Sequence, residues 1–250
     1  MGESRAAVDR RGFGATMRRD LWWLELIPVI VILGGFGIYA TWRAFENAYY
    51  EFGPYLSPFY SPLIKPSWWP LSPALLILGG PLGFRATCYY YRKAYYRAFF
   101  LDPPACAVSE SRSHGYRGES AFPLVLQNVH RYFLYIALIF LLILWYDAIR
   151  AFWFDGHFGI GVGSLVLLIN IILLSLYTFS CHSLRHLVGG KVDCFSCVAF
   201  GGPRHAAWRG TSFLNEHHML FAWLSLVSVG LADLYVRSVA SGAISDLRLL

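Results

Sequence analysis

Five stretches of this 250-residue chain are each long and apolar enough to cross a lipid bilayer. A hydrocarbon layer roughly 30 Å thick takes about 20 apolar residues as helix. In that solvent every backbone amide must find its partner inside the protein. The stretches cover about 22–42, 71–91, 125–145, 159–180 and 213–234. They predict an all-α polytopic membrane protein of five transmembrane helices, a single membrane domain over 1–250. With 56% hydrophobic and 14% charged residues, a soluble domain is excluded. Trp22, Trp23, Trp68, Trp69, Trp145 and Trp153 fall near the ends of apolar runs, as interfacial aromatics do. The first 20 residues are polar and Arg-rich, and show no cleavable signal peptide.

The net charge of +6 invites a nucleic-acid reading, but the cations sort by loop. Fourteen Lys and Arg lie in the N-terminal segment and in the connections after the second and fourth stretches. Only five lie on the other side: Arg43, Lys65, Arg150, Arg237 and Arg248. The positive-inside rule then places the N-terminus in the cytoplasm and the C-terminus outside, and no nucleic acid is expected as a partner. Segment 49–73, rich in Pro, Tyr and Trp, reads as an ordered hairpin at the outer interface. The cytoplasmic connections 98–122 and 185–211 are too short to fold alone and offer docking surface. Because Cys88, Cys106 and Cys181 fall on the reducing side, structural disulfides are not expected.

Four of the five stretches carry one soft or imidazole side chain near the basic boundary: Cys88, His130, Cys181 and His218. At 1.5 Å per helical residue all four lie roughly 5–10 Å inside it. Each belongs to the small or polar stripe of its helix, which faces other helices rather than lipid. In the fifth stretch that stripe is Asn215, His218, Ala222, Ser225 and Asp233, whereas His217 falls with Phe221, Leu224 and Leu231. Polar groups at this depth mark functional sites. Two thiolates with two imidazoles suit zinc or a Rieske-type [2Fe–2S] cluster, and two histidines alone suit a haem. His182, His186 and His217 are alternate ligands. A buried Cys taken alone is more often an inert small hydrophobe, and a lone membrane His more often a hydrogen-bonding residue; convergence favours ligation. Cys194-Phe195-Ser196-Cys197 is a CxxC without a second pair, a weak zinc signal, and Cys106 reads as a docking-loop residue. The run 85–97 alternates Arg and Lys with Tyr, as an interfacial anchor would. Arg85 lies too deep for anchoring alone, so Arg85, Tyr89 and the neighbouring Trp208 are candidates for binding a quinone.

TCYYYRKAYYR (87–97), PPACAV (103–108), CHSLRH (181–186) and LNEHHM (214–219) resemble the membrane-anchor subunit of actinobacterial succinate dehydrogenase, respiratory complex II. The resemblance spans most of the chain. It implies a multi-pass plasma-membrane anchor holding a flavoprotein and an iron–sulfur subunit at its cytoplasmic face. Succinate would be oxidised on those partners, and this chain would relay electrons to quinone through a [2Fe–2S] cluster or a haem b. No Rossmann fingerprint or ferredoxin-type cysteine run is present, so flavin and the low-potential clusters belong to the partners. The direction of the reaction, the quinone and a higher oligomer of the complex stay open. A small transporter relaying protons through Asp147, Asp233 and buried histidines is the reading from another class.

Overall fold

The computed structural model describes residues 21–95, 98–99, 124–190 and 192–250. Cys106 and most of the docking connection 98–122 lie outside the described residues, as do the N-terminal arginines. Four of the described helices are long and apolar enough to cross a membrane: Trp23–Glu46, Val125–Arg150, Val162–Phe179 and His218–Ala240. In chain order the elements are α1 (Leu26–Glu46), the hairpin β1 (Glu51–Phe52) and β2 (Tyr55–Leu56), then α2 (Ala74–Ile77), α3 (Gly79–Ala86) and α4 (Tyr89–Tyr95). There follow α5 (His130–Arg150), the hairpin β3 (Trp153–Phe154) and β4 (His157–Phe158), α6 (Val162–Phe179), α7 (His182–Gly189), α8 (Gly201–Glu216) and α9 (His218–Ala240).

Two sequence expectations need correction. The second stretch is not one spanning helix but the three short helices α2, α3 and α4. Pro81 lacks the amide that a continuous ladder needs. Further on, Thr87 Oγ1 donates to the Gly83 carbonyl at 2.7 Å, a back-bond that bends helices. The fifth stretch does not start at Phe213: α8 ends at Glu216 and α9 begins at His218. The polar Asn215-Glu216-His217 step is where the chain changes helix.

At the centre α6 packs along α9 and α5, α3 lies against α5, and α7 against α8. The close approach of α3 depends on glycine, since a Cβ on Gly83 would sit 2.1 Å from the Phe133 ring. By contrast α1 buries only Ala44, and its apolar faces are left for lipid or a partner. The inward stripe of α9 is as expected: His218, Ala222, Ser225 and Asp233 are buried, while His217, Leu224 and Leu231 are exposed.

At the end of the bundle away from α7 and α8, a polar lock joins α1, the first hairpin and α9. Asp233 and Arg237 are buried and paired at 2.9 Å. The carboxylate also accepts from Tyr39 at 2.6 Å and from Ser57. Arg237 reaches Glu46 at 2.8 Å and the Ala48 carbonyl. Nearby, Asp246 of the C-terminal tail accepts from Tyr55 at 2.7 Å and Tyr235 at 2.6 Å. Burial, with the Asp246 bond adding to it, pushes the Tyr55 hydroxyl up to about 12, so it remains a donor. Asp147, the other acid of the proton-relay reading, accepts from Ser61. Fixed in this way, Asp233 acts as a fastening rather than a mobile proton carrier. Removing one partner of a buried ion pair typically costs about 3–5 kcal/mol, whereas replacing both can be neutral. Arg237→Leu should therefore lower the unfolding temperature of the detergent-purified protein sharply, and Asp233→Leu/Arg237→Leu should recover most of the loss. Equal melting of the single and double variants would contradict a paired lock.

Candidate metal centre at four helix breaks

The four candidate ligands form two pairs, His130 with Cys181 and His218 with Cys88, and each sits where the chain changes helix. Cys88 lies in the Thr87–Cys88 step between α3 and α4. His130 is the first residue of α5, after the 3-10 turn Leu124–Val129. Cys181 is the extended residue (φ −63°, ψ 134°) between α6 and α7. His218 opens α9. Irregular backbone at membrane depth persists only inside protein or along a cavity, and here it faces inward. Cys88, Cys181 and His218 are almost fully buried, with free thiols on both cysteines.

Hydrogen bonds join the four in two chains, which the adjacent residues Thr87–Cys88 and Ser180–Cys181 close into a circuit through the backbone. His130 Nε2 lies 3.2 Å from Cys181 Sγ, and His218 Nε2 lies 3.4 Å from Cys88 Sγ. Behind each ring stands a hydroxyl: Thr87 Oγ1 is 2.9 Å from His130 Nδ1, and Ser180 Oγ is 2.7 Å from His218 Nδ1. The wiring is crossed. Thr87, the neighbour of Cys88, holds the histidine that faces Cys181, and Ser180, the neighbour of Cys181, holds the one that faces Cys88.

These hydroxyls bear on the tautomers. Thr87 Oγ1 already donates to Gly83 O at 2.7 Å, and Ser180 Oγ to Tyr177 O at 3.0 Å. Each hydroxyl has one hydrogen to give, so one spent on its carbonyl can only accept toward imidazole. With the hydroxyl hydrogens on those carbonyls, Nδ1 carries the ring proton and the Nε2 lone pair of each histidine points at sulfur; a hydroxyl donating to Nδ1 instead would give the other tautomer. Metal-ligating histidines are oriented by such an outer partner. Sequence reasoning missed Thr87 and Ser180, although the dipeptides Thr-Cys and Ser-Cys at two helix ends were a visible signal.

The donors come as two Cys–His pairs. Among the described residues no three His, Cys, Asp or Glu side chains sit close enough to hold one ion, so a closed tetrahedral zinc site is not matched. The two pairs are separate: His130 stands against Cys181 and His218 against Cys88. Between the imidazoles stand two aromatic rings. Phe84 stacks on His130 at 4.8 Å, and Tyr177 stacks on His218 at 5.2 Å.

The other candidates lie elsewhere. His182 and His186 face each other on α7 with Nε2 atoms 3.0 Å apart, both exposed. His217 is exposed between Phe213 and Phe221. No hydrogen bond joins any of the three to Cys88 or Cys181 among the described residues. Cys194 and Cys197 form a disulfide, which corrects the expectation of none: the 3-10 turn Phe195–Cys197 brings their Cα atoms to 5.3 Å. Arg85 is inside the bundle, donating to Tyr91 at 2.5 Å and Ser225 at 3.2 Å. Tyr89 is exposed beneath the Arg92 guanidinium. Trp208 packs on α8 against His205, Phe195 and Arg185. A cleft of about 530 Å³, unsuspected from sequence, opens between the start of α5 and α7. Its walls include Gln127, Asn128, His130, Ser183 and His186, and none of Arg85, Tyr89 and Trp208.

Outer partners of metal-bound histidines typically govern affinity 10- to 100-fold. Thr87→Val and Ser180→Ala should each lower bound metal per chain about tenfold at limiting supply while leaving helix content unchanged. Elemental analysis with circular dichroism checks this; full occupancy in both variants would remove the tautomer argument.

The family model described as actinobacterial succinate dehydrogenase subunit SdhC matches residues 24–242. No curated protein matches the chain. Among solved structures, a chain of the Mycobacterium smegmatis Sdh1 complex in the apo form is 43% identical, with a TM-score of 0.87. The match covers 100% of this chain and 98% of that one. The chain therefore belongs to the actinobacterial succinate dehydrogenase SdhC family, the membrane subunit of that enzyme complex.

Proposed function

We propose that this subunit takes electrons at its basic, cytoplasmic end and passes them, through a redox centre held by Cys88, His130, Cys181 and His218, to a membrane quinone. The observation that carries the reading is the position of His130. Its Nε2 faces the Cys181 sulfur inside the circuit, and the same residue lines the open cleft. A quinone in that cleft would stand one side chain from the centre. The partners are a flavoprotein subunit, where succinate becomes fumarate, and an iron–sulfur subunit that docks beside α7 and α8. That the similar solved chain is part of an Sdh complex supports this. Residues 74–95, at 1.5 Å each, reach roughly 30 Å, so the broken helices α2 to α4 serve as a fifth passage. Together with the charge asymmetry, this supports a cytoplasmic N-terminus and an outer C-terminus.

On this reading Cys88, Cys181, His130 and His218 would hold a Rieske-type [2Fe–2S] cluster. Such a cluster carries one electron at a time, at a higher potential than an all-cysteine cluster, with two thiolates on one iron and two imidazoles on the other. Cys88 and Cys181 would lose their protons on loading, and their contacts to imidazole would give way to metal bonds. His130 and His218 present lone pairs because Thr87 and Ser180 hold their Nδ1 protons. Phe84, Tyr177 and Leu134 are buried around the centre and keep water out. In the cleft, Gln127 Oε1 is buried without a partner, an acceptor suited to a quinol hydroxyl. Asn128 and Ser183 can donate to quinone carbonyls. Arg85, by this reading, supplies positive charge near the centre rather than contact with quinone.

A haem b between His130 and His218 is the alternative for the same histidines. In the purified complex the cluster reading expects two iron and two acid-labile sulfide per anchor beyond those of the soluble subunits, with no Soret band. Cys88→Ala or Cys181→Ala should cut quinone reduction at least 100-fold while succinate oxidation with a dye acceptor persists. Full quinone reductase activity in either variant would overturn the reading. In the cleft, Gln127→Met should raise the quinone KM about fivefold, the loss of one hydrogen bond. An unchanged KM would move the quinone elsewhere.

A further inference from the structure

Cys194 and Cys197 close a turn in the polar connection between α7 and α8. Cys197 is exposed and Cys194 half-buried. In sequence the turn is flanked by Arg185, Lys191, Arg204 and Arg209, four of the cations that mark the cytoplasmic side. A disulfide on that side stands against a reducing pool, and disulfides found there are typically transient, serving catalysis or redox sensing. Nor does this one staple distant elements, since its cysteines are only three positions apart.

The surroundings favour exchange, in which a thiolate attacks one sulfur and expels the other. Cys197 offers the accessible sulfur. Ser196 Oγ lies 3.2 Å from Cys194 Sγ, and the hydroxyl is the donor because a disulfide sulfur carries no hydrogen. The same contact would stabilise Cys194 as the departing thiolate.

Packing connects the turn to the cleft. The Phe195 ring meets His205 at 5.0 Å and Trp208 at 5.9 Å, both on α8. Its carbonyl lies against Gly201, the first residue of α8, where a Cβ would stand 1.7 Å from the oxygen. Trp208 also meets α7. The Arg185 guanidinium lies 5.2 Å from its ring centre, and a Cβ on Gly189 would come within 2.1 Å of the ring. In turn α7 supplies Ser183, His186 and Leu187 to the cleft wall. Without the sulfur bridge the turn keeps two backbone bonds, Cys197 N to Cys194 O at 3.2 Å and Val198 N to Phe195 O at 3.5 Å. Both donor residues are exposed, and backbone bonds open to water with little buried around them give way first.

We propose that Cys194–Cys197 is a thiol–disulfide exchange site for a dithiol protein of the cytoplasm, and that its redox state sets how firmly α7 is held at the cleft. This rests on the cytoplasmic placement of the loop proposed above, and on no metal. A partner thiolate attacks Cys197 Sγ, the Cys194–Cys197 bond breaks, and Cys194 leaves as a thiolate and takes a proton. The partner's second thiolate then attacks its own sulfur in the mixed disulfide and frees Cys197, which is protonated in turn. Two electrons and two protons pass to the subunit, and the partner departs as a disulfide. Oxidised glutathione reverses the exchange, leaving as two thiols.

The test uses the whole complex, with dithiothreitol as the dithiol and no denaturant. Alkylation followed by peptide mass analysis should find Cys194 and Cys197 labelled after reduction and neither before it. Amide hydrogen exchange within residues 182–189 should quicken about threefold on reduction while α9 stays unchanged. Cys194→Ser/Cys197→Ser should exchange at the fast rate with or without dithiothreitol; should that variant not assemble, reduced and alkylated wild type takes its place. A disulfide that resists dithiothreitol in the native complex, or exchange in α7 that ignores the redox state, overturns the proposal and leaves the orientation standing. In sealed inverted vesicles a membrane-impermeant thiol reagent should reach the reduced pair. Labelling only in right-side-out vesicles overturns the orientation and the proposal together.

Discussion

Two hydrogen-bonded chains of thiol, imidazole and hydroxyl, closed through the Thr87–Cys88 and Ser180–Cys181 steps, are the constraint on which this end of the bundle depends. Each link crosses between helices: Thr87 to His130, His130 to Cys181, Ser180 to His218, His218 to Cys88. In a bilayer, helices gain little from burying apolar faces against one another, because lipid is equally apolar. Polar contacts and close packing must fix the arrangement instead. The circuit ties α3, α5, α6 and α9 together at one depth, and Asn215 adds a bond from α8 to the Ser180 carbonyl at 2.7 Å.

The same constraint explains why the helices break. A ligand inside an unbroken helix presents only its side chain, one face per turn. At a helix end the backbone turns as well, so adjacent residues can do different work. Thr87 and Cys88 serve different arms of the circuit, as do Ser180 and Cys181. The far end of the bundle is organised differently, around the Asp233–Arg237 pair and the tail carboxylate Asp246. Of the four candidate ligands His130 lines the cleft and is half-buried, where the other three are enclosed.

Much of this was legible in the sequence. The nearness of His130 to Cys181 and of His218 to Cys88 agrees with the expected meeting of these residues, which rested on helical rise and the basic boundary. The choice of His218 over His217 followed from the stripe Asn215, His218, Ala222, Ser225 and Asp233. The helix breaks were not legible. The Asn215-Glu216-His217 step reads as part of an apolar run, and Thr87 bends its helix only because its hydroxyl returns to Gly83. Hydropathy averages over such local bonds. The cleft was invisible because Gln127, Ser183 and His186 come from separate segments that only tertiary packing brings together. The hydroxyls of Thr87 and Ser180 were overlooked because their role appears only when both ends of the imidazole are counted.

A density map of the assembled complex, detailed enough to place side chains, tests the central claim most directly. The account predicts non-protein density continuous with both sulfurs and both Nε2 atoms, with the Thr87 and Ser180 hydroxyls still on Nδ1. Well-ordered thiols resting against the imidazoles with nothing between them, or the four side chains turned toward separate neighbours, would contradict it.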